Sequence, residues 1–164
     1  MMAEDSIRDA LNMIPYGFYA IGSRNGDDVN LMVVNWLTQS SFAPRQVAFG
    51  LSQTAVTHGI IAAGKVFSVN ILDRGDADLI TGLTKSRAKY PDKVRDADTT
   101  PGPQTGCPLL SGAAAWLECR VVASVDSGGD HDVIVGEVIG AGVNRAGKSD
   151  ATLTLETIGW SYSG

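Results

Sequence analysis

The chain has 164 residues, 44% hydrophobic and 19% charged, which supplies the core of one domain spanning 1–164 and excludes a disordered chain. Its 13 Lys and Arg against 18 Asp and Glu give a net charge of −5. No basic stripe stands out, so nucleic acid and anionic membrane are poor partners.

Met1-Met2-Ala3-Glu4-Asp5-Ser6 lacks the basic and apolar regions of a signal peptide. No apolar run approaches the ~20 residues that cross a bilayer, and a cytoplasmic location is expected. Residues 5–13 place Ile7, Ala10, Leu11 and Ile14 at helical spacing, which predicts a short amphipathic helix stopped by Pro15. Residues 16–23 read as a strand and 24–28 as a hairpin turn centred on Asn25-Gly26. Residues 29–38 read as one return strand, apolar on both faces in its middle. Pro44-Arg45 marks a turn before a strand at 46–51. Residues 54–63 predict a helix, with Thr54 or Thr57 as N-cap and Gly64 as terminator.

Residues 65–72 read as a strand and 76–84 as a helix. Residues 85–106 are polar, charged and rich in Pro and Gly; an excursion of that kind is functional or mobile. Strands follow at 113–125 and 131–141 around a Ser/Gly/Asp turn at 126–130, then a loop at 144–150. Residues 152–162 close the chain as a last strand or two. Cys107 and Cys119 have no metal-ligand spacing and no basic neighbour in sequence, so they read as reduced, non-catalytic thiols. Many short strands with a few helices predict a mainly β chain folded as a closed or nearly closed antiparallel barrel.

Three clusters can carry chemistry. Asn35-Trp36-Leu37-Thr38-Gln39-Ser40-Ser41 turns an apolar strand into a row of donors suited to a phosphate or a heteroaromatic ring, although on composition alone a turn with local Ser/Thr hydrogen bonds is the plainer account. Ser52-Gln53-Thr54-Ala55-Val56-Thr57-His58 precedes a helix, whose N-terminus attracts anions; an ordinary cap is the plainer account, and His58 reads as structural. Gly129-Asp130-His131 places a histidine where a turn enters a strand, within reach of acid–base or hydrogen-bonding work, or simply at the surface. There is no P-loop, GxGxxG, HExxH, CxxC pair or GxSxG elbow, and no spaced cluster for a metal.

Taken in order, the motifs resemble the flavin reductase-like family. They are Ile14-Pro15-Tyr16-Gly17-Phe18-Tyr19, Val34-Asn35-Trp36 to Phe42 with Pro44, and Gly64-Lys65-Val66-Phe67-Ser68-Val69-Asn70-Ile71-Leu72. Thr105-Gly106-Cys107-Pro108, Ala115-Trp116-Leu117-Glu118-Cys119 and Gly129-Asp130-His131 to Val138 complete the set, and the resemblance covers 11–164. It lies nearest flavoredoxin-like proteins and the reductase module of cyanobacterial diflavin flavoproteins. The resemblance implies an FMN-binding split β-barrel of Greek-key type with a few short helices. It implies FMN ahead of FAD or riboflavin, NADH or NADPH as electron donor, and a homodimer with flavin near the interface. A redox protein or monooxygenase would receive the electrons.

Carried over residue by residue, Val34, Asn35 and Trp36 match the segment facing the isoalloxazine. Thr38, Gln39, Ser40 and Ser41 match the polar turn around ribityl and phosphate, and Ser52, Gln53, Thr54 and Thr57 the second phosphate-side segment. His131 matches the nicotinamide-side histidine, and Lys85 or Lys89 a cation for the phosphate. No essential catalytic side chain and no metal is implied. Many relatives have Pro-Pro where this chain has Pro44-Arg45, and 85–106 matches poorly, which leaves NADH against NADPH open. The competing readings are a non-enzymatic FMN carrier of the flavoredoxin type, a pyridoxamine-oxidase-like barrel and a domain without ligand.

Overall fold

The computed structural model describes residues 2–162, so both ends of the expected 1–164 domain lie outside the described residues. Helix α1 (Met2–Leu11) precedes the sheet, which begins with β1 (Tyr19–Asn25) and β2 (Asp28–Val34). Asn25 pairs with Asp28, so the hairpin loop is Gly26-Asp27, one residue later than the sequence reading centred it. Gly26 takes φ +60 and Asp27 does not, the arrangement of a turn that needs glycine first.

The strand expected over 29–38 is two strands. β2 ends at Val34, and β3 (Leu37–Phe42) begins after Asn35-Trp36. The physical reason is a change of partner: β2 pairs with β1, whereas β3 pairs with β4 (Arg45–Ser52). In β4, Val47, Phe49 and Leu51 alternate inward.

Helix α2 (Val56–Gly64) buries Thr57, Ile60 and Ile61. The expected N-cap is corrected, while the helix ends at Gly64 as expected. The N-cap is Ala55, with no side-chain cap, and Thr57 lies inside the first turn, where its hydroxyl accepts from Asn30 Nδ2 at 2.9 Å. Gly64 is the last helical residue, and Lys65 takes the left-handed conformation at φ 59. A Cβ on Gly64 would collide with the Arg24 carbonyl, so glycine is needed for α2 to close on β1.

β5 (Val66–Ile71) lies between β1 and β8 (Ala115–Asp126), and β8 forms a hairpin with β9 (His131–Val143). The helix expected at 76–84 is shorter, a 3-10 turn at Arg74–Asp76 running into α3 (Ala77–Thr81). The 85–106 excursion holds α4 (Lys93–Asp96) and β6 (Thr99–Pro101), which pairs with β7 (Pro108–Leu110). The closing strands expected at 152–162 are absent. Only single bridges form, Gly17 to Thr154 and Asp73 to Thr152, because Leu153 and Leu155 plug a core cluster while the chain crosses the sheet's end.

The seven-stranded order is β2-β1-β5-β8-β9-β4-β3, all antiparallel. Its two edge strands, β2 and β3, are consecutive in sequence, so the joint Asn35-Trp36 bridges the open seam of a split barrel. Inside, Phe49 and Phe67 meet edge-on at 5.1 Å although their strands are not neighbours in the sheet. Ile21, Leu51, Ile61 and Val69 complete this cluster, each burial contributing about 1.5–3 kcal/mol. A second cluster of Phe18, Leu31, Leu72, Ile80, Leu83, Leu153 and Leu155 lies against α3. Among the described residues no helix is long and apolar enough to cross a membrane.

Candidate functional site

A cleft of about 340 Å³ opens at the seam. The joint supplies one wall with Val34, Asn35 and Trp36; Gly50, Ser52 and His131 supply the facing one, and Phe18, Leu155, Trp160 and Tyr162 close the rest. Trp36 lies across Gly50, where a Cβ would come within 3.0 Å of its ring. The indole stands 4.8 Å from the His131 ring and 5.3 Å from that of Tyr162. Asn35 Nδ2 and Trp36 Nε1 are buried donors without a protein partner. A buried donor left unpaired costs about 1–3 kcal/mol, so two of them beside an aromatic cleft mark a place for a polar heteroaromatic ligand.

A groove of about 320 Å³ continues from the cleft, sharing Met32, Val33 and Thr84 with it. Its walls carry Asn30, Thr54 and Thr57 on one side, and Lys85, Ser86, Arg87 and Lys93 on the other. The start of α2, free of any side-chain cap, forms its floor with Ala55 and Val56. Uncapped N–H groups at a helix start and nearby cations attract an anion. Lys93 is only 4% exposed and donates to the carbonyls of Lys85 at 2.9 Å and Leu83 at 3.2 Å, tying down the turn that carries Lys85 and Arg87. Burial pushes its ammonium below the usual lysine value, and Arg87 pushes the same way. Asn30 Oδ1 is buried without a partner.

The structure brings Val34, Asn35, Trp36, Ser52 and His131 together in the cleft, and Thr54, Thr57 and Lys85 in the groove. It does not bring Thr38, Gln39, Ser40 or Ser41 to either cavity. They stand on edge strand β3, where Thr38 Oγ1 donates to the Gln39 carbonyl and Gln39 Nε2 to that of Ser41, with a bulge at Ser40. Gln53 turns away to Asp132, and exposed Lys89 lines neither cavity. Sequence reasoning placed Asn30 at the start of the expected flavin-holding stretch 30–57 without giving it a role, and did not single out Arg87, Lys93, Trp160 or Tyr162, which line the two cavities. Asn30 carried a signal, a polar residue in an apolar strand; Lys93 carried none, since its burial comes from the fold.

His131 Nδ1 lies 2.7 Å from Asp130 Oδ1, and this bond holds the Asp130 carboxyl below its usual value. His58, read as structural, meets Asp132 Oδ2 through Nε2 at 2.7 Å, while Gln53 Nε2 donates to Asp132 Oδ1 at 2.8 Å. Those two bonds, Gln53 first, hold the Asp132 carboxyl low as well. Cys107 and Cys119 are free and buried, and burial pushes their thiols up to about 11 and about 12. At neutral pH neither is a nucleophile. Among the described residues no group of three His, Cys, Asp or Glu is placed to hold a metal.

Comparison with known proteins gives a consistent picture. The sequence model of the flavin reductase like domain matches residues 11–158. Diflavin flavoprotein A 1 of Synechocystis sp. is 25% identical over 148 residues, covering 87% of this chain and 25% of that protein. The chain thus spans about a quarter of the diflavin flavoproteins it matches. The solved structure of an NADH:FAD oxidoreductase from Streptomyces globisporus superposes with a TM-score of 0.76 at 27% identity, covering 85% of this chain and 82% of that one. An FMN-binding protein from Thermus thermophilus superposes with a TM-score of 0.74 at 28% identity, covering 81% and 73%.

Proposed function

The chain belongs to the flavin reductase like domain family, and on that footing we propose that it is an NAD(P)H-dependent flavin reductase whose cleft and groove together hold FMN. One observation carries the reading. An aromatic cleft with two unpartnered donors, Asn35 Nδ2 and Trp36 Nε1, runs into a groove that ends on an uncapped helix start and the cations Lys85, Arg87 and Lys93. That sequence of surfaces fits an isoalloxazine, a ribityl chain and a terminal phosphate in turn. A phosphate monoester concentrates its charge on one terminal group at the cationic end, whereas the bridging diphosphate of FAD spreads a similar charge over two groups.

When bound, the flavin supplies the hydride-accepting chemistry. The chain's own residues bind and orient. Trp36 and His131 narrow the cleft so that a nicotinamide ring lies flat over its contents. The Asp130 carboxylate accepts from His131 Nδ1–H and fixes that ring, leaving Nε2 for the nicotinamide carboxamide, which carries both a donor and an acceptor. Proximity does the rest. The chain is read as one such unit, and as a homodimer: Phe42, 88% exposed at the end of edge strand β3, and the polar row Thr38–Ser41 await a second copy. The free buried thiols support a reducing, cytoplasmic setting.

A second reading, an FMN carrier reduced by a protein partner, draws on one feature: Trp160 and Tyr162 crowd the cleft that a nicotinamide must enter. Anaerobic mixing of the FMN-loaded protein with NADH and with NADPH decides. Bleaching of the flavin absorbance within seconds is the expected outcome. An unchanged spectrum with both nucleotides leaves the carrier, and a chain that takes up no flavin sinks both.

A further inference from the structure

The bend from β4 into α2, residues 52–58, serves both cavities: Ser52 lines the cleft, and Thr54 and Thr57 line the groove. Its first helical turn has no side-chain cap of its own. Besides the bond from Asn30 to Thr57, one carboxylate ties its side chains to another strand. Asp132 reaches Gln53 before the helix start and His58 within it, at 2.8 and 2.7 Å. Asp132 is 8% exposed and lines neither cavity.

Its place on β9 gives that contact a consequence. Strand alternation sends neighbouring side chains to opposite faces. His131 therefore turns to the cleft and Asp132 to the bend. The same register pairs Ser52 with His131 and Leu51 with Asp132, and the backbone of Gln53 donates to Asp130 at 3.1 Å. We infer that Asp132 is a positioning residue: by holding Gln53 and His58 it locks the phosphate-side bend to the strand that carries His131, and so fixes the spacing between the anion end and the nicotinamide end of the site. This role rests on the flavin reading above.

The lock is bidentate and spans two elements far apart in sequence, so losing it loosens the bend on its β9 side at two side chains together, while Thr57 stays tied to Asn30. A displacement of about 1 Å is enough to cost a large factor in binding or rate. The His58 contact needs only a donor at Nε2, which the amide nitrogen of glutamine supplies at a similar reach. His58→Gln should therefore keep the lock, and His58→Ala should open it.

The test is titration of FMN, followed by flavin fluorescence, into the wild-type chain and into Asp132→Ala, His58→Ala, His58→Gln and the Asp132→Ala/His58→Ala pair, with KM for NADH and NADPH measured alongside. The expected result is a rise of about tenfold in FMN Kd and in nicotinamide KM for both alanine variants. His58→Gln stays within about threefold of wild type, and the double variant is no worse than Asp132→Ala alone, since the two act as one unit. Wild-type affinity in folded Asp132→Ala overturns the role. So does an equal loss in His58→Gln and His58→Ala, which marks bulk or stability and not the bond. If Asp132→Ala does not fold, the two His58 variants decide. A wild-type chain that takes up no FMN overturns the flavin reading itself, whereas tight wild-type binding with an unaffected Asp132→Ala overturns the positioning role alone.

Discussion

The cleft and the groove share Met32, Val33 and Thr84 and a largely apolar lining, yet their polar groups differ in kind. The cleft is walled mainly by aromatic and aliphatic side chains, and its polar groups are the Asn35 amide, the Trp36 indole N–H, His131 and a few hydroxyls, with no cation among them. The groove is walled by hydroxyls, an uncapped helix start and three cations, one of them buried. An apolar wall with sparse donors selects a flat ring by shape and a few hydrogen bonds, whereas the groove selects charge. On the proposed reading the difference divides the labour: the groove would set how tightly a phosphorylated ligand is held, and the cleft what meets it. Changes in one region should then be nearly silent in the other.

The largest separation is expected at Lys93. Its ammonium holds the carbonyls of Leu83 and Lys85 and thereby the turn bearing Lys85 and Arg87. Lys93→Met removes a buried cation and releases that turn. A charge-assisted hydrogen bond is worth about 1.5–3 kcal/mol, so FMN affinity should fall about 10- to 100-fold. Riboflavin, which lacks the phosphate, should lose less than about threefold. Equal losses for the two ligands, measured by fluorescence titration, would break the division between groove and cleft.

The reciprocal change is His131→Ala. The ring lies 4.8 Å from Trp36 and outside the groove. KM for NADH or NADPH should rise about tenfold while FMN Kd stays within about twofold, since only a cleft contact is lost. Steady-state kinetics against a flavin titration on the same preparation checks this. A variant that loses flavin instead would move His131 into the anchoring half of the site.

The two regions were also unequally legible in the sequence. The cleft's inner wall, Val34-Asn35-Trp36, could be read because the motif is contiguous, and His131 because its Gly-Asp-His turn is local. The groove's far wall could not. Lys93 sits in an excursion whose composition says only that it is polar, and its burial depends on α4 packing against the turn at 83–87. Trp160 and Tyr162 escaped for a similar reason. A strand-like pattern at 152–162 hid a segment that crosses the sheet's end and returns over the cleft, turned by Gly159 at φ +71. The barrel itself followed from alternation, but the break at residue 35 did not. Leu31-Met32-Val33-Val34 and Leu37 look like one strand, and only the change of pairing partner splits them. The exchange of Thr57 from cap to groove wall likewise depends on Asn30, 27 residues away.

The smallest effect concerns pH, and it separates the two sides of β9. Asp132 and Asp130 both have carboxyls held below the ordinary value of 3.8, the first by Gln53 and His58, the second by His131. A depressed carboxyl stabilises the folded chain fully above its unfolded value, and that contribution disappears as pH falls through the folded one. The melting temperature should therefore be insensitive to these groups between about pH 5 and 7 and decline below about pH 4. Asp132 is buried and bidentate, whereas the side chain of Asp130 is 95% exposed and screened by water. Asp132→Asn should flatten the acid decline visibly, and Asp130→Asn should hardly change it, in thermal melts taken across that range. Equal flattening would mean that the hairpin end, not the 52–58 bend, carries the acid-sensitive contact. In that case the lock between the two cavities would lie at His131 itself.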